Sequence, residues 1–269
     1  DGFEIRDAEG RPALGFDHVE AELAWSSLWS LRFRLARLEI DAPKLLLRRD
    51  RDGRYFAAGL EITPQPGDED DFTDWLLAQD SVIIRNAGII WRDEFRGAPP
   101  LELQRMNFQL DNSGKRHRFG FTAEPPRQLA ARIDIRGDFN GRDLDQLAEW
   151  KGEVYAELDY ADLAVWRAWV DYPVLLPQGS GALRLWLEIA NKQLRSTTAD
   201  VRLADVRLQL RHDLPELDLV RLEGRVIGRR LEGGFDAELK HLTLATRDGV
   251  SLPSTDLKLA WQGAGAERP

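Results

Sequence analysis

Apolar and polar residues alternate along most of this chain, and the alternation breaks at recurring places. Between residues 35 and 56, Leu38 and Ile40 alternate with charged neighbours. The phase shifts around Ala42-Pro43, and Leu45 and Leu47 resume it before the turn Asp50-Arg51-Asp52-Gly53. Period two puts successive side chains on opposite faces of a strand. Acidic residues running into glycine mark a hairpin, because glycine accepts the positive φ of a tight turn. One slip of parity recurs in Leu101-x-Leu103-x-x-Met106-x-Phe108, in Val201-x-Leu203-x-x-Val206-x-Leu208 and in Ala237-x-Leu239-x-x-Leu242-x-Leu244. Left alone, it would send every later apolar side chain to the wrong face. A bulge absorbs the extra residue and adds twist, so strands bulged in this way predict a strongly curved sheet.

The remaining segments fill in this frame. Phe3 and Ile5, a turn at residues 7–10, and Val19, Ala21, Leu23 and Trp25 alternating with His18, Glu20 and Glu22 predict a hairpin. Residues 26–33 follow a serine cap and predict a short helical turn. Two prolines and a glycine break the chain at 63–67, and the acidic run 68–71 leads into Phe72, Trp75 and Leu76 at helical spacing, with Asp71 as the cap. That run lacks the ligand spacing of a calcium loop. Residues 81–84, a turn or bulge at Asn86-Ala87-Gly88 and residues 89–91 form the next strand. Leu101 to Leu110, Phe119 with Phe121, and Ile133 with Ile135 follow. Asp143 to Gln146 resembles a capping box with Leu144, Leu147 and Ala148 behind it, and Leu163, Trp166, Trp169 and Val170 share one helical face. The rest alternates as strands. The expected fold is mainly β: a long, strongly twisted antiparallel sheet with one apolar face and a few short helices. It reads as one continuous segment, 1–269, in approximate units 1–65, 66–140 and 141–269. On pattern alone, the closed core of a β-sandwich is the default reading of that apolar face, ahead of an open groove.

Composition narrows the chemistry. A net charge of −9 opposes binding to nucleic acid. The absence of cysteine excludes disulfides. No apolar run exceeds about six residues, against the roughly 20 of a spanning helix. The chain begins at Asp1, its single methionine is Met106, and it ends in Gly-Ala-Gly-Ala-Glu-Arg-Pro. It therefore reads as a piece of a longer protein, with any membrane anchor expected outside it. The four histidines (His18, His117, His212, His241) lack metal spacing, and the nine tryptophans, Trp25, Trp91, Trp186 and Trp261 among them, read as core rather than as sugar platforms. Glu216 and Asp218 read as solvated neighbours rather than a glycosidase pair. With no phosphate loop, nucleophile elbow or cysteine nucleophile, no enzyme activity, metal or cofactor is expected.

The stretches LARLEIDAPKLLLRRDRDGRYF, VIIRNAGIIWRDEFRGAPPLELQRMNFQLDN and GALRLWLEIANKQLRSTTADVRLADVRLQL, with Pro43, Gly53 and Trp91 inside them, resemble the AsmA-like superfamily, closest to its YhdP branch. The resemblance runs over essentially the whole chain. It implies a periplasmic protein anchored to the bacterial inner membrane, whose open β half-pipe carries phospholipid to the outer membrane in an apolar groove. This chain would match the part just after the membrane helix. Phospholipid acyl chains are the implied partner, and no protein partner is indicated. Candidates to line the groove are Leu38, Ile40, Leu45, Leu47 and Ile83; Leu103, Met106, Phe108, Leu110, Phe119 and Phe121; Ile133, Ile135 and Leu185; and Leu203, Val206, Leu208, Leu210, Leu242 and Leu244. Charged alternates such as Arg37, Glu39, Arg184, Glu188, Arg202 and Arg207 would keep the back face wet. Rival readings are an assembly module for outer-membrane proteins acting through exposed strand edges, and a sugar-binding or hydrolytic β domain.

Overall fold

The structure is a computed structural model. It describes residues 3–6, 12–25, 34–61, 71–141, 149–171, 175–209, 213–231 and 234–262. The turns expected at 7–10 and 26–33, the segment 62–70, the capping box at 143–148, and Leu210 and His212 lie outside the described residues. Two compact units emerge: Asp1–Arg127 with Arg132–Leu147, and Gln128–Ala131 with Ala148–Pro269.

In the first unit, β1 (Phe3–Arg6) pairs with β2 (Pro12–Phe16), and β3 (His18–Leu23) pairs with β4 (Leu35–Asp41), both antiparallel. β4 and β5 (Lys44–Arg49) form one ribbon kinked at Ala42, whose φ is +48°. The ribbon ends in the expected turn, where the Asp50 carboxylate accepts from the Asp52 and Arg54 N–H groups, each at 2.9 Å. Both halves of the ribbon lie parallel to β8 (Ser81–Asp93), in the same offset on either side of the kink. Here the wholly antiparallel expectation needs correcting. β6 (Tyr55–Ala57), β7 (Leu60–Glu61) and helix α1 (Asp71–Ala78) lie between β5 and β8, and so long a crossover lets the chain return in its original direction. An antiparallel meander follows: β8, β9 (Leu101–Ser113), β10 (Arg116–Glu124) and β11 (Ile133–Asn140).

The second unit is simpler. β12 (Lys151–Asp162), β13 (Leu175–Ala190), β14 (Gln193–Gln209), β15 (Leu217–Leu231), β16 (Gly234–Thr246) and β17 (Ser251–Gln262) each pair antiparallel with the next. Among the described residues nothing pairs β17 back to β12, so this ladder does not close into a barrel. Between β12 and β13 lies a single helical turn, α2 (Leu163–Trp166), capped by the Asp162 carboxylate accepting from Val165 N–H at 3.1 Å. The longer helical face expected there ends in a turn, with the Trp169 and Val170 N–H groups both donating to the Trp166 carbonyl.

Every predicted parity slip has its bulge. Arg105, Asp205 and His241 occupy the extra positions with φ of +44°, +49° and +53°, and Asn86 does the same in β8 with +53°. Neighbouring side chains take up N–H groups that the bulges remove from the ladder. Asn107 Oδ1 accepts from Asn86 N–H at 3.1 Å, and Asp256 Oδ1 accepts from His241 N–H at 2.7 Å.

Candidate functional site

Register turns the alternation into two unlike faces. In the second unit, one face carries the rows Val154–Leu187–Thr197–Gly228–Ala237–Leu259 and Ala156–Leu185–Ala199–Val226–Leu239–Leu257 across all six strands. Beside them, Leu158–Leu183–Val201–Gly224 crosses four. The other face carries the row Glu157–Arg184–Asp200–Arg225–Lys240. Arg184 meets Glu157 at 2.6 Å and Arg225 meets Asp200 at 2.5 Å, with Lys258 on Glu238 at 3.2 Å. The Arg225 guanidinium holds the Asp200 carboxyl below the usual carboxylate range. Opposite charges directly across strands favour this register, although exposed pairs contribute little stability. Trp186 stands on this charged face, 38% exposed, beside Tyr155 and under Arg225, so it is not the core residue expected.

Protein covers the apolar face at one end. There α2 presses Leu163 onto a core of Leu176, Val206, Leu208 and Leu219, with Leu203, Leu222 and Leu244 packed alongside. Away from that end, no second layer of described residues lies on the rows. Val226 is 37% exposed, Leu257 44% and Leu259 59%.

The first unit has the same two-sided design. Val82–Leu110–Phe119–Gly137 and Ile84–Phe108–Phe121–Ile135 run across β8 to β11, and Ala123 sits opposite Ile133. Leu38, Ile40, Leu45 and Leu47 extend the face through the parallel pairs with Val82, Ile84, Ile89 and Trp91. Phe119 stacks between Phe108 and Phe139, with ring centroids 6.5 and 6.3 Å apart. On the reverse face, Arg85 and Arg37 hold Glu39 below its ordinary range, and Arg116 bonds Asp138 at 2.9 Å.

At one end this face becomes polar. Asn112 donates to the carbonyls of Gln79 and Leu76 at the end of α1, at 2.7 and 3.3 Å. Its Oδ1 is left to accept from His117 Nδ1 at 2.7 Å, while Nε2 faces the Gly141 carbonyl at 3.3 Å. Gln79 is fully buried, its Oε1 accepting from Leu35 N–H at 2.6 Å. Burial pushes the His117 imidazole below its usual value, against the opposing pull of the Gly141 carbonyl.

Of the predicted lining residues, those in 38–47 and 103–135 share the first unit's apolar face, and those in 185–208 and 242–244 share the second's, with one exception. Ile83 sits opposite Gln109 and Glu39, on the charged side, because its neighbours Val82 and Ile84 take the apolar one. Met106, Leu110, Val206 and Leu208 are buried, closed in by protein. Val154, Ala156, Leu183, Leu187, Ala199, Val226, Leu239 and Leu257 also belong to the face. Each lies in an alternating run, but only the ladder shows which parity they share. Trp25, expected in the core, is 82% exposed. No group of metal-binding side chains occurs among the described residues, and no helix among them is long and apolar enough to cross a membrane.

A family model described as "YhdP protein" matches residues 1–268. No curated protein matches the chain. No solved structure matches it either.

Proposed function

The chain belongs to the YhdP family, and from that premise we propose that it is a periplasmic, lipid-conducting segment of a protein anchored to the bacterial inner membrane. Phospholipids would pass to the outer membrane along the apolar faces of its sheets. The carrying observation is the second unit's face, whose uncharged, largely apolar rows run from β12 to β17 and, among the described residues, are covered only at the end where α2 lies. Moving a lipid with two chains of about 16 carbons into water costs roughly 25 kcal/mol, at about 0.8 kcal/mol per methylene. A trough that keeps the chains on leucine and valine while the head group stays wet removes most of that cost. Its residues solvate hydrocarbon and perform no bond chemistry, so the segment is no enzyme and needs no cofactor.

Native mass spectrometry of the purified chain tests this, with bound phospholipid as the expected result. Leu185→Asp, in the middle of the open rows, abolishes that lipid while the circular dichroism spectrum stays that of a sheet. Should Leu185→Asp unfold the chain while the wild type carries no lipid, the face is ordinary core. A second reading, assembly of outer-membrane proteins, draws on β17, which is paired on one side only among the described residues. Capture of β-barrel precursors by chain that retains no phospholipid favours it.

A further inference from the structure

At the end of the second unit's open face remote from α2, the apolar rows finish in a cation. Arg230 pairs with Phe235 in a regular stretch of ladder that also sets Gly228 against Ala237 and Val226 against Leu239. It therefore shares a face with Val226 and Gly228. Among the described residues it is the one charged side chain at a paired position of that face, in a chain of net charge −9. It is exposed and makes no ion pair or hydrogen bond within the described residues. The neighbouring row is low. A Cβ built on Gly228 meets nothing within 4 Å, and its partners there are Ala237 and Thr197, which brings a hydroxyl to the row. Same-face residues along a strand lie roughly 7 Å apart, within reach of an arginine side chain.

We infer that Arg230 and the recess over Gly228 hold the phosphate of a phospholipid whose acyl chains lie on Val226 and Leu239, an inference that rests on the lipid-conducting reading. A guanidinium is a fork of donors matched to phosphate oxygens, weakly enough hydrated to work beside apolar surface. Thr197 supplies a second donor, and the absence of a side chain at Gly228 leaves room for the glycerol. The remaining rows carry no charge and would accept chains of any head group, so this end is where a phosphate is distinguished from an uncharged lipid.

The test loads the purified 269-residue chain from vesicles containing phosphatidylglycerol and diacylglycerol of identical chains, and counts both by native mass spectrometry. The wild type is expected to retain phosphatidylglycerol about tenfold over diacylglycerol. Arg230→Gln equalises the two without lowering diacylglycerol uptake, and Gly228→Leu lowers phosphatidylglycerol at unchanged melting temperature. Equal retention by the wild type, unaltered by Arg230→Gln, overturns the phosphate site while leaving the lipid-conducting reading intact. Retention of neither lipid overturns both. Displacement of the phospholipid by soluble glycerol phosphate at equal concentration shows a site for free phosphate and overturns the lipid assignment.

Discussion

Two residues show how the faces are finished where the strand pattern alone does not serve. Gly137 lies beneath the Phe119 ring, and a Cβ there would come within 2.2 Å of Phe119 Cε1. The missing side chain lets Phe119 lie across its neighbour and stack on Phe139. Gly137→Ala should therefore lower stability by about 1–3 kcal/mol, the cost of overpacking a filled site. Gly120→Ala, on the opposite face with open space around it, should not; urea unfolding of both variants checks the contrast. His117 sets a pH dependence. Its folded-state value lies below the unfolded one, so between the two the unfolded chain binds more protons and stability rises with pH. The contribution is whole above about pH 6.5 and is lost as pH falls through the folded value. The urea midpoint of the wild type should drop between pH 7.5 and 5.5 more steeply than that of His117→Gln. Parallel slopes would exclude the buried imidazole as the cause.

At the scale of the element, bulges hold the design together. A strand of this length that lost its slip would turn its leucines to the charged side halfway along. Left-handed backbone at non-glycine residues costs about 1–2 kcal/mol each, and the register of a two-faced sheet sustains it. His241 is exposed, with its N–H held by Asp256. Replacing it separates backbone strain from side-chain effects. His241→Gly should raise stability by up to about 1 kcal/mol, and His241→Val should lower it by about 1–2 kcal/mol, as read from thermal unfolding. The sequence carried these bulges openly, since three apolar repeats each contained one surplus residue. It concealed the parallel pairing of β4 and β5 with β8, because alternation reads the same in both strand directions.

At the scale of the whole molecule, an uncovered apolar face should make stability depend on what fills it. A ligand bound only by the folded state adds about 2.7 kcal/mol at a hundredfold excess over its Kd. Chain loaded with phospholipid is thus expected to melt above delipidated chain, and Leu185→Asp should abolish the difference. Equal melting temperatures for loaded and delipidated wild type would argue that acyl chains do not rest on these rows. Salt offers a second contrast. The exposed ion-pair rows of the reverse face should weaken as ionic strength rises, while retention of the uncharged diacylglycerol on the apolar rows should not.

What the sequence determined by itself was the strand-rich composition, the two-faced character of the strands, the position of the bulges and the turn at Asp50–Gly53. Each is written in residues close to one another along the chain. Which parity faces which way was decided by tertiary structure. Val82, Ile83 and Ile84 are equally apolar, and only their partners on β4 and β9 send Ile83 to the charged side. Coverage was decided there too. α2 seals Val206 and Leu208 at one end and leaves Val226 and Leu257 open, although all four belong to the same kind of alternating run. A single strand's pattern records which side chains avoid water; what stands opposite them depends on residues brought from elsewhere in the chain.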